Sequence, residues 1–119
     1  MITSKADIAD RLSILVLKEA SGVGCRGEYL AYVQAFMETP LTAEMLQCFC
    51  DLIVVNNRIW ALEADIRSGR EKELGLEEVG RRALAIRDHN KERIRLRNAI
   101  TSLVGIGYIE TKVNHASGD

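Results

Sequence analysis

The sequence predicts an all-α protein in which two long helices form an antiparallel hairpin and two shorter helices pack on it, as in a four-helix bundle. Apolar residues recur at three- and four-residue spacing along most of the chain, which is the period of an amphipathic helix. No segment alternates apolar and polar residues for long enough to build a sheet. The two longest helical segments are each ~40 Å long and joined by a short connection, which favours antiparallel packing.

The first two predicted helices are short. The first spans about Lys5–Glu19 and begins at Ser4, which opens a sequence resembling a capping box. Its apolar face carries Ile8, Leu12, Leu15 and Val16. The second spans about Glu28–Met37 and ends before Pro40, because proline interrupts helical hydrogen bonding.

The third predicted helix spans about Ala43–Ser68, with Thr42 as its N-cap, and is apolar on two sides. One stripe consists of Leu46, Phe49, Cys50, Ile53, Asn57, Trp60 and Ala64. The other consists of Leu52, Val55, Ile59, Leu62 and Ile66. A helix with two apolar sides is sandwiched between neighbours or between subunits. We therefore expect a homo-oligomer, with a dimer as its form.

The fourth predicted helix spans about Glu77–Val104 and ends at Gly105. It closes a single helical domain of residues 1–105, and residues 106–119 are expected to form an extended tail. Strict three-four spacing selects a stripe of Val79, Ala83, Ile86, Asn90, Arg93, Arg97, Ile100 and Val104. The middle of this stripe is polar, and a guanidinium on a packing face needs a partner because an unpaired buried charge is costly.

The hairpin is predicted to turn near residue 72, which brings the middle of the third helix toward the polar part of the fourth. The candidate site therefore comprises Arg93, Arg97, Asn90, Asn57, Trp60, Glu63 and Arg67. Helix one offers Asp10, Lys18 and Glu19 as further partners. Two interpretations stay open: an ion network that fixes helix register, or a site in which Arg93 and Arg97 bind an anion such as a phosphate.

Composition argues against some classes of function but does not identify the function itself. A formal net charge of -1 argues against a nucleic-acid-binding protein, and no apolar run is long enough to span a membrane. Three cysteines, Cys25, Cys48 and Cys50, show no disulfide framework, which favours a reduced, cytoplasmic protein. We find no catalytic motif, no metal-ligand spacing and no cofactor motif, so the sequence does not decide whether the protein is an enzyme.

Four segments also resemble one family in the same order along the chain. They are residues 6–15 (ADIADRLSIL) with Lys18, Asn57-x-x-Trp60-x-x-Glu63-x-x-Ile66-Arg67, Asn90-x-x-Arg93-x-x-x-Arg97-x-x-Ile100, and Ile109-Glu110-Thr111-Lys112. The sequence resembles a family of short, uncharacterised helical proteins of bacteria and phages, often encoded near glycosyltransferases. The resemblance implies that one interior cluster unites Asp10, Lys18, Asn57, Trp60, Glu63, Arg67, Asn90, Arg93 and Arg97.

The function expected from these observations is that of a small helical interaction or accessory module that self-associates. The alternative is a binder or enzyme for a phosphorylated small molecule, such as a nucleotide or a sugar nucleotide. In that alternative Arg93 and Arg97 hold the phosphate, Trp60 lines the pocket, and Asn57 and Glu63 orient the ligand or the arginines.

Overall fold

The protein is all-α, as the sequence predicts. A computed structural model describes the backbone of residues 4–118 and the side chains of residues 4–104, and this part of the chain contains helices and no strand. In chain order the helices are α1 (Lys5–Ala20), α2 (Arg26–Met37), α3 (Ala43–Arg67), α4 (Glu71–Leu74) and α5 (Leu76–Gly118).

Side-chain caps fix where two of these helices begin. Ser4 Oγ accepts a hydrogen bond from the Asp7 amide at 3.0 Å, and Thr42 Oγ1 accepts one from the Met45 amide at 3.1 Å. Each bond satisfies an amide that the first helical turn leaves without a partner. Both predicted N-caps are therefore confirmed.

The connection between α3 and α5 contains the short helix α4, which spans residue 72, where the sequence predicts the turn of the hairpin. Gly69 and Gly75 bracket it with φ angles of +76° and +81°. Other residues adopt this left-handed region only at a cost, so glycine is favoured at both positions. These two turns reverse the chain between the long helices.

Helix α5 is longer than predicted. The predicted end at Gly105 and the extended tail of residues 106–119 are not observed, because the helical backbone continues to Gly118. A glycine inside a helix costs only about 1 kcal/mol relative to alanine, and no proline follows Gly105 to interrupt the hydrogen bonds. The side chains of residues 105–118, and Asp119 entirely, lie outside the described residues.

Helices α3 and α5 form the predicted antiparallel hairpin. Close to the turn, Arg82 donates to the Leu62 carbonyl at 3.3 Å and to Asp65 Oδ2 at 3.2 Å. The same guanidinium donates to Glu78 Oε1 at 3.0 Å. Arg82 therefore ties the C-terminal half of α3 to the beginning of α5.

Helix α1 packs on both helices of the hairpin, and α2 folds back along α1. Arg11 of α1 forms an ion pair with Glu28 of α2 at 2.9 Å. At the other end of α2, the buried Lys5 ammonium donates to the Phe36 carbonyl and, at 2.6 Å, to Thr39 Oγ1. Both ends of α2 are thereby attached to α1.

The core lies where α1 and α2 meet the hairpin. Its buried residues are Ala6, Ala9, Leu12, Phe36, Leu52, Val55, Ile59, Leu96 and Ile100. The buried face of α5 differs from the predicted stripe. Leu96 is buried although it is not part of the stripe, and Ala83 and Val104 of the stripe are exposed. Strict heptad spacing drifts by about 20° per heptad around a straight helix, so a stripe drawn over 26 residues leaves the packed face at its ends.

Candidate functional site

Asp10 of α1 is the centre of a polar cluster inside the bundle. Its side chain is only 5% exposed. Arg93 of α5 donates from Nε to Oδ1 at 2.9 Å and to Oδ2 at 3.1 Å, and from Nη2 to Oδ2 at 2.6 Å. A guanidinium that meets both oxygens of a carboxylate in this way forms a bidentate ion pair, which adds geometric specificity to its strength.

Arg97 lies one helical turn beyond Arg93 and links Asp10 to the surface. Its Nη1 donates to Asp10 Oδ2 at 3.0 Å, and its Nη2 donates to Asp7 Oδ1. The side chain of Arg97 is 35% exposed, and that of Asp7 is 47% exposed. Arg97 therefore sits at the solvent edge of the cluster, with both of its Nη nitrogens bound to carboxylates.

Asn56 brings α3 into the same cluster. Its Nδ2 donates to Asp10 Oδ1 at 3.1 Å and to Ser13 Oγ at 2.7 Å, and Ser13 Oγ donates to the Asp10 carbonyl at 2.6 Å. We call this set the Asp10 cluster; its members are Asp7, Asp10, Ser13, Asn56, Arg93 and Arg97. Throughout the described residues, every buried side-chain nitrogen and oxygen has a hydrogen-bond partner.

The electrostatics of the cluster keep Asp10 ionised. Burial by itself raises the pKa of Asp10, but hydrogen bonds from Arg93 and Asn56 and the positive charges of Arg93 and Arg97 lower it more strongly. The pKa of Asp10 therefore lies below its ordinary value of 3.8. At neutral pH the cluster contains a carboxylate between two guanidiniums, which is the form that its hydrogen bonds stabilise.

Of the predicted site residues, Arg93 and Arg97 lie together in the Asp10 cluster, whereas three others form a separate group on the surface of α3. Arg67 pairs with Glu63 at 3.2 Å and donates to the Trp60 carbonyl at 3.1 Å. Its guanidinium also lies 5.0 Å from the centre of the Trp60 ring, a distance at which a cation is attracted to the aromatic face.

The remaining two predicted residues are asparagines outside the cluster. Asn57 is exposed on the side of α3 that faces away from the core, and Asn90 is half-buried one turn before Arg93. Asn56 instead supplies the amide that reaches Asp10. A signal for Asn56 exists in the sequence, since it lies four residues after Leu52 and three before Ile59 on the second apolar stripe.

The two stripes of α3 have different environments. Leu52, Val55 and Ile59 of the second stripe are buried in the core, with Leu52 fully inaccessible. Phe49 of the first stripe packs against the core, where its ring lies 4.9 Å from that of Phe36. We call the rest of the first stripe the outer stripe; its members are Leu46, Cys50, Ile53, Asn57, Trp60 and Ala64. Leu46 is 46% exposed, the adjoining Val54 is 48% exposed, and Cys50, Asn57 and Ala64 are exposed as well. Four of the six residues of the outer stripe are therefore exposed, whereas Ile53 and Trp60 are half-buried.

Two further properties concern ligands and membranes. No group of three or more His, Cys, Asp or Glu side chains within the described residues is arranged to hold a metal ion. None of the described helices combines the length and apolar character needed to cross a membrane.

No protein family matches the sequence, and no curated protein or solved structure is significantly similar to the chain. The resemblance to short bacterial and phage proteins therefore stays a prediction that rests on its four sequence segments alone.

Proposed function

We propose that the protein is a small helical interaction module that self-associates through the outer stripe of α3. The observation that carries the proposal is that α3 has two apolar sides, and that its own chain buries the inner side but leaves Leu46, Cys50 and Ala64 of the outer stripe exposed. Leu52 on the inner side is inaccessible, whereas Leu46 on the outer side is 46% exposed. Apolar surface at regular helical spacing is removed from water when a second helix packs against it.

The spacing of the outer stripe supports a helical partner in particular. Its six residues follow one another at intervals of four, three, four, three and four, which is the heptad repeat of a two-stranded coiled coil. Asn57 occupies a central position of this repeat, and a single polar residue in such a seam specifies register and oligomer state. The Asp10 cluster would then serve the monomer, by fixing the packing of α1 on the hairpin that presents α3.

We also propose that the module works in the cytoplasm. Cys25, Cys48 and Cys50 are free thiols, and Cys50 is exposed. An exposed thiol on an interaction surface is maintained most readily in a reducing compartment.

The experiment that tests self-association compares two matched substitutions by sedimentation or light scattering at micromolar concentration. Leu46→Glu places a charge on the outer stripe, and Leu84→Glu places the same charge on an α5 residue that is 55% exposed. Burying a leucine side chain is worth about 1.5–3 kcal/mol, so Leu46→Glu should raise the Kd of the dimer at least about tenfold. Leu84→Glu should leave it unchanged.

Both residues are exposed in the single chain, so neither substitution should unfold it, and circular dichroism verifies this. A wild-type protein that stays monomeric at these concentrations, or a Leu84→Glu variant that weakens the dimer as much as Leu46→Glu, would overturn the proposal.

The alternative hypothesis, a binder of phosphorylated small molecules, stays a prediction. The geometry supports it less, because the guanidiniums of Arg93 and Arg97 already bind the carboxylates of Asp10 and Asp7. A phosphate would have to displace these carboxylates and would leave Asp10 buried without its counterions, which is costly.

A further inference from the structure

We infer that α2 is a lid: it detaches from α1 and closes again while α1, α3 and α5 stay packed, and the open state uncovers an apolar groove on α1. This inference does not rest on the proposed self-association. Three features of the structure support it: the weak helix-forming signals of α2, its few attachments, and the independent anchoring of α1.

Little within α2 itself stabilises the helix. Cys25 occupies its N-cap position and makes no side-chain hydrogen bond to the first turn, whereas Ser4 and Thr42 cap α1 and α3. Gly27 lies in the first turn, and glycine favours a helix less than any residue except proline. A helix of 12 residues is at best marginally stable by itself in water. Helix α2 therefore persists through its contacts with the rest of the protein.

Those contacts bury little of α2. All of its residues belong to the described part of the chain, and among them only Phe36 is buried, whereas α1 contributes seven buried residues. Helix α2 packs mainly on α1 and meets α3 where the ring of Phe36 lies 4.9 Å from that of Phe49. An element with few buried contacts opens at a lower free energy than the rest of its fold.

The polar attachments at the two ends of α2 hold it weakly. Arg11 and Glu28 pair at the surface, where their side chains are 37% and 43% exposed, and exposed ion pairs contribute little to stability. At the other end, the Lys5 ammonium donates to uncharged groups, the Phe36 carbonyl and the carbonyl and hydroxyl of Thr39. Burial lowers the pKa of Lys5, because the charged ammonium loses its hydration. Opening returns this charge to water, which offsets part of the loss of its hydrogen bonds.

The rest of the fold can stay in place while α2 moves. Residues 20–24 and 37–44, which flank α2, are all exposed, and Gly22 has a φ angle of +84° that reverses the chain after α1. Helix α1 has its own anchor, since Asp10 binds Arg93 of α5 and Asn56 of α3. The Asp10 cluster therefore keeps α1 on the hairpin when α2 is open.

Detachment of α2 uncovers an apolar groove on α1. The face of α1 that meets α2 is bounded by Lys5 and Arg11, the two residues that bind the ends of α2. Ile8, Leu12 and Leu15 lie between them around the helix, at 100° per residue. Leu12 is 3% exposed and Leu15 is inaccessible in the closed protein. The lid therefore controls whether this apolar surface is accessible.

The side of α2 that closes the groove is the apolar face of a helix. Its residues follow the spacing i, i+3, i+4 and i+7 and pack against the core. They are Tyr29, Tyr32, Val33 and Phe36.

Hydrogen exchange of dilute protein, measured residue by residue, tests the movement. Gly27→Ala strengthens α2, and Gly80→Ala makes the same change in α5 as a matched control. A methyl group at either position points into open space, so neither substitution disturbs the packing. If α2 opens by itself, only a change within α2 alters its exchange, whereas stabilisation of any helix slows exchange that requires global unfolding.

In the wild type we expect the amides of residues 29–36 to be at least about tenfold less protected than those of residues 52–59, with α1 as protected as α3. Gly27→Ala should slow the exchange of α2 by about two- to fivefold and leave that of α3 unchanged. Gly80→Ala should leave the exchange of α2 unchanged. Equal protection of α2 and α3, an absence of slowing by Gly27→Ala, or equal slowing of α2 by both substitutions would overturn the inference. Loss of protection in α1 together with α2 would overturn it as well, since the groove would not outlast the opening.

Discussion

Arg93 and Asp10 are 83 residues apart in the chain, yet two nitrogens of one guanidinium bind both oxygens of one carboxylate across the interface of α1 and α5. An ion pair of this kind forms at only one relative position of the two helices. Sliding α1 by one turn along α5 would separate the charges and leave the carboxylate of Asp10 buried without a counterion. The pair therefore favours one register of α1 on α5.

Removing Arg93 should destabilise the protein strongly. Asp10 is almost fully buried, and Arg93→Ala takes away three of the contacts to its carboxylate. Breaking a buried ion pair on one side costs about 3–5 kcal/mol, and because Arg97 and Asn56 still bind Asp10 we expect a loss near 3 kcal/mol. Urea unfolding followed by circular dichroism measures this free energy.

Two further variants complete the measurement. Arg97→Ala should cost less, about 1 kcal/mol, since Arg97 makes one hydrogen bond to Asp10 and its other partner is at the surface. Arg87→Ala should change the stability by less than about 0.5 kcal/mol, because Arg87 is exposed. If all three variants were equally stable, the cluster would not stabilise the fold, and an open anion site would become the better interpretation.

Several features of this fold follow from local sequence. The caps at Ser4 and Thr42 depend on residues three positions apart, and the α3–α5 hairpin follows from two helical periods and a short turn. The polar centre at Arg93 and Arg97 was also predictable, because a charge inside an apolar stripe is visible in one helix alone.

The partners of that centre were harder to predict. Which carboxylate meets Arg93 depends on the register between α1 and α5. Successive side chains of a helix point about 100° apart, so a prediction of the inward-facing residues depends on where the apolar stripe is drawn. Asn56 and Asn57 are neighbours in sequence but point about 100° apart, so a small error in the stripe exchanges a core residue for an exposed one. For the same reason Trp60, Glu63 and Arg67 were assigned to the interior cluster, although they form a group of their own.

Acid should weaken the Asp10 cluster. The pKa of Asp10 lies below 3.8 in the folded protein, so the unfolded chain binds this proton more readily than the native state. The stabilisation is therefore complete above about pH 5 and is lost as the pH falls through the folded pKa. We expect the difference in free energy of unfolding between the wild type and Asp10→Asn to be largest near neutral pH and to shrink at about pH 3.

A surface carboxylate provides the control for this titration. Hydrogen bonds from Arg81 and Arg82 lower the pKa of Glu78 from 4.5 to about 2, so Glu78 also contributes acid sensitivity, over a wider range. Glu78→Gln is introduced into both the wild type and the Asp10→Asn variant. The difference between them in free energy of unfolding should stay unchanged, because Glu78 and Asp10 belong to separate clusters. A difference that stays constant between neutral pH and pH 3 would contradict the assignment to Asp10.

Substitution by alanine should affect the stability of the protein at Asn56 but not at the adjacent Asn57. Asn56→Ala removes one of the hydrogen-bond donors to Asp10 and the donor to Ser13 Oγ, which costs about 1–3 kcal/mol. Asn57→Ala should change the stability of the single chain by less than about 0.5 kcal/mol, because Asn57 is exposed. The same substitution should strengthen self-association, because it removes a polar group from the outer stripe. The same asparagine-to-alanine change is made at both positions, so the contribution of helix propensity cancels. Urea unfolding of dilute samples measures the stability of the single chain, and light scattering of concentrated samples measures self-association. Equal losses of stability in the two variants would refute the placement of both residues.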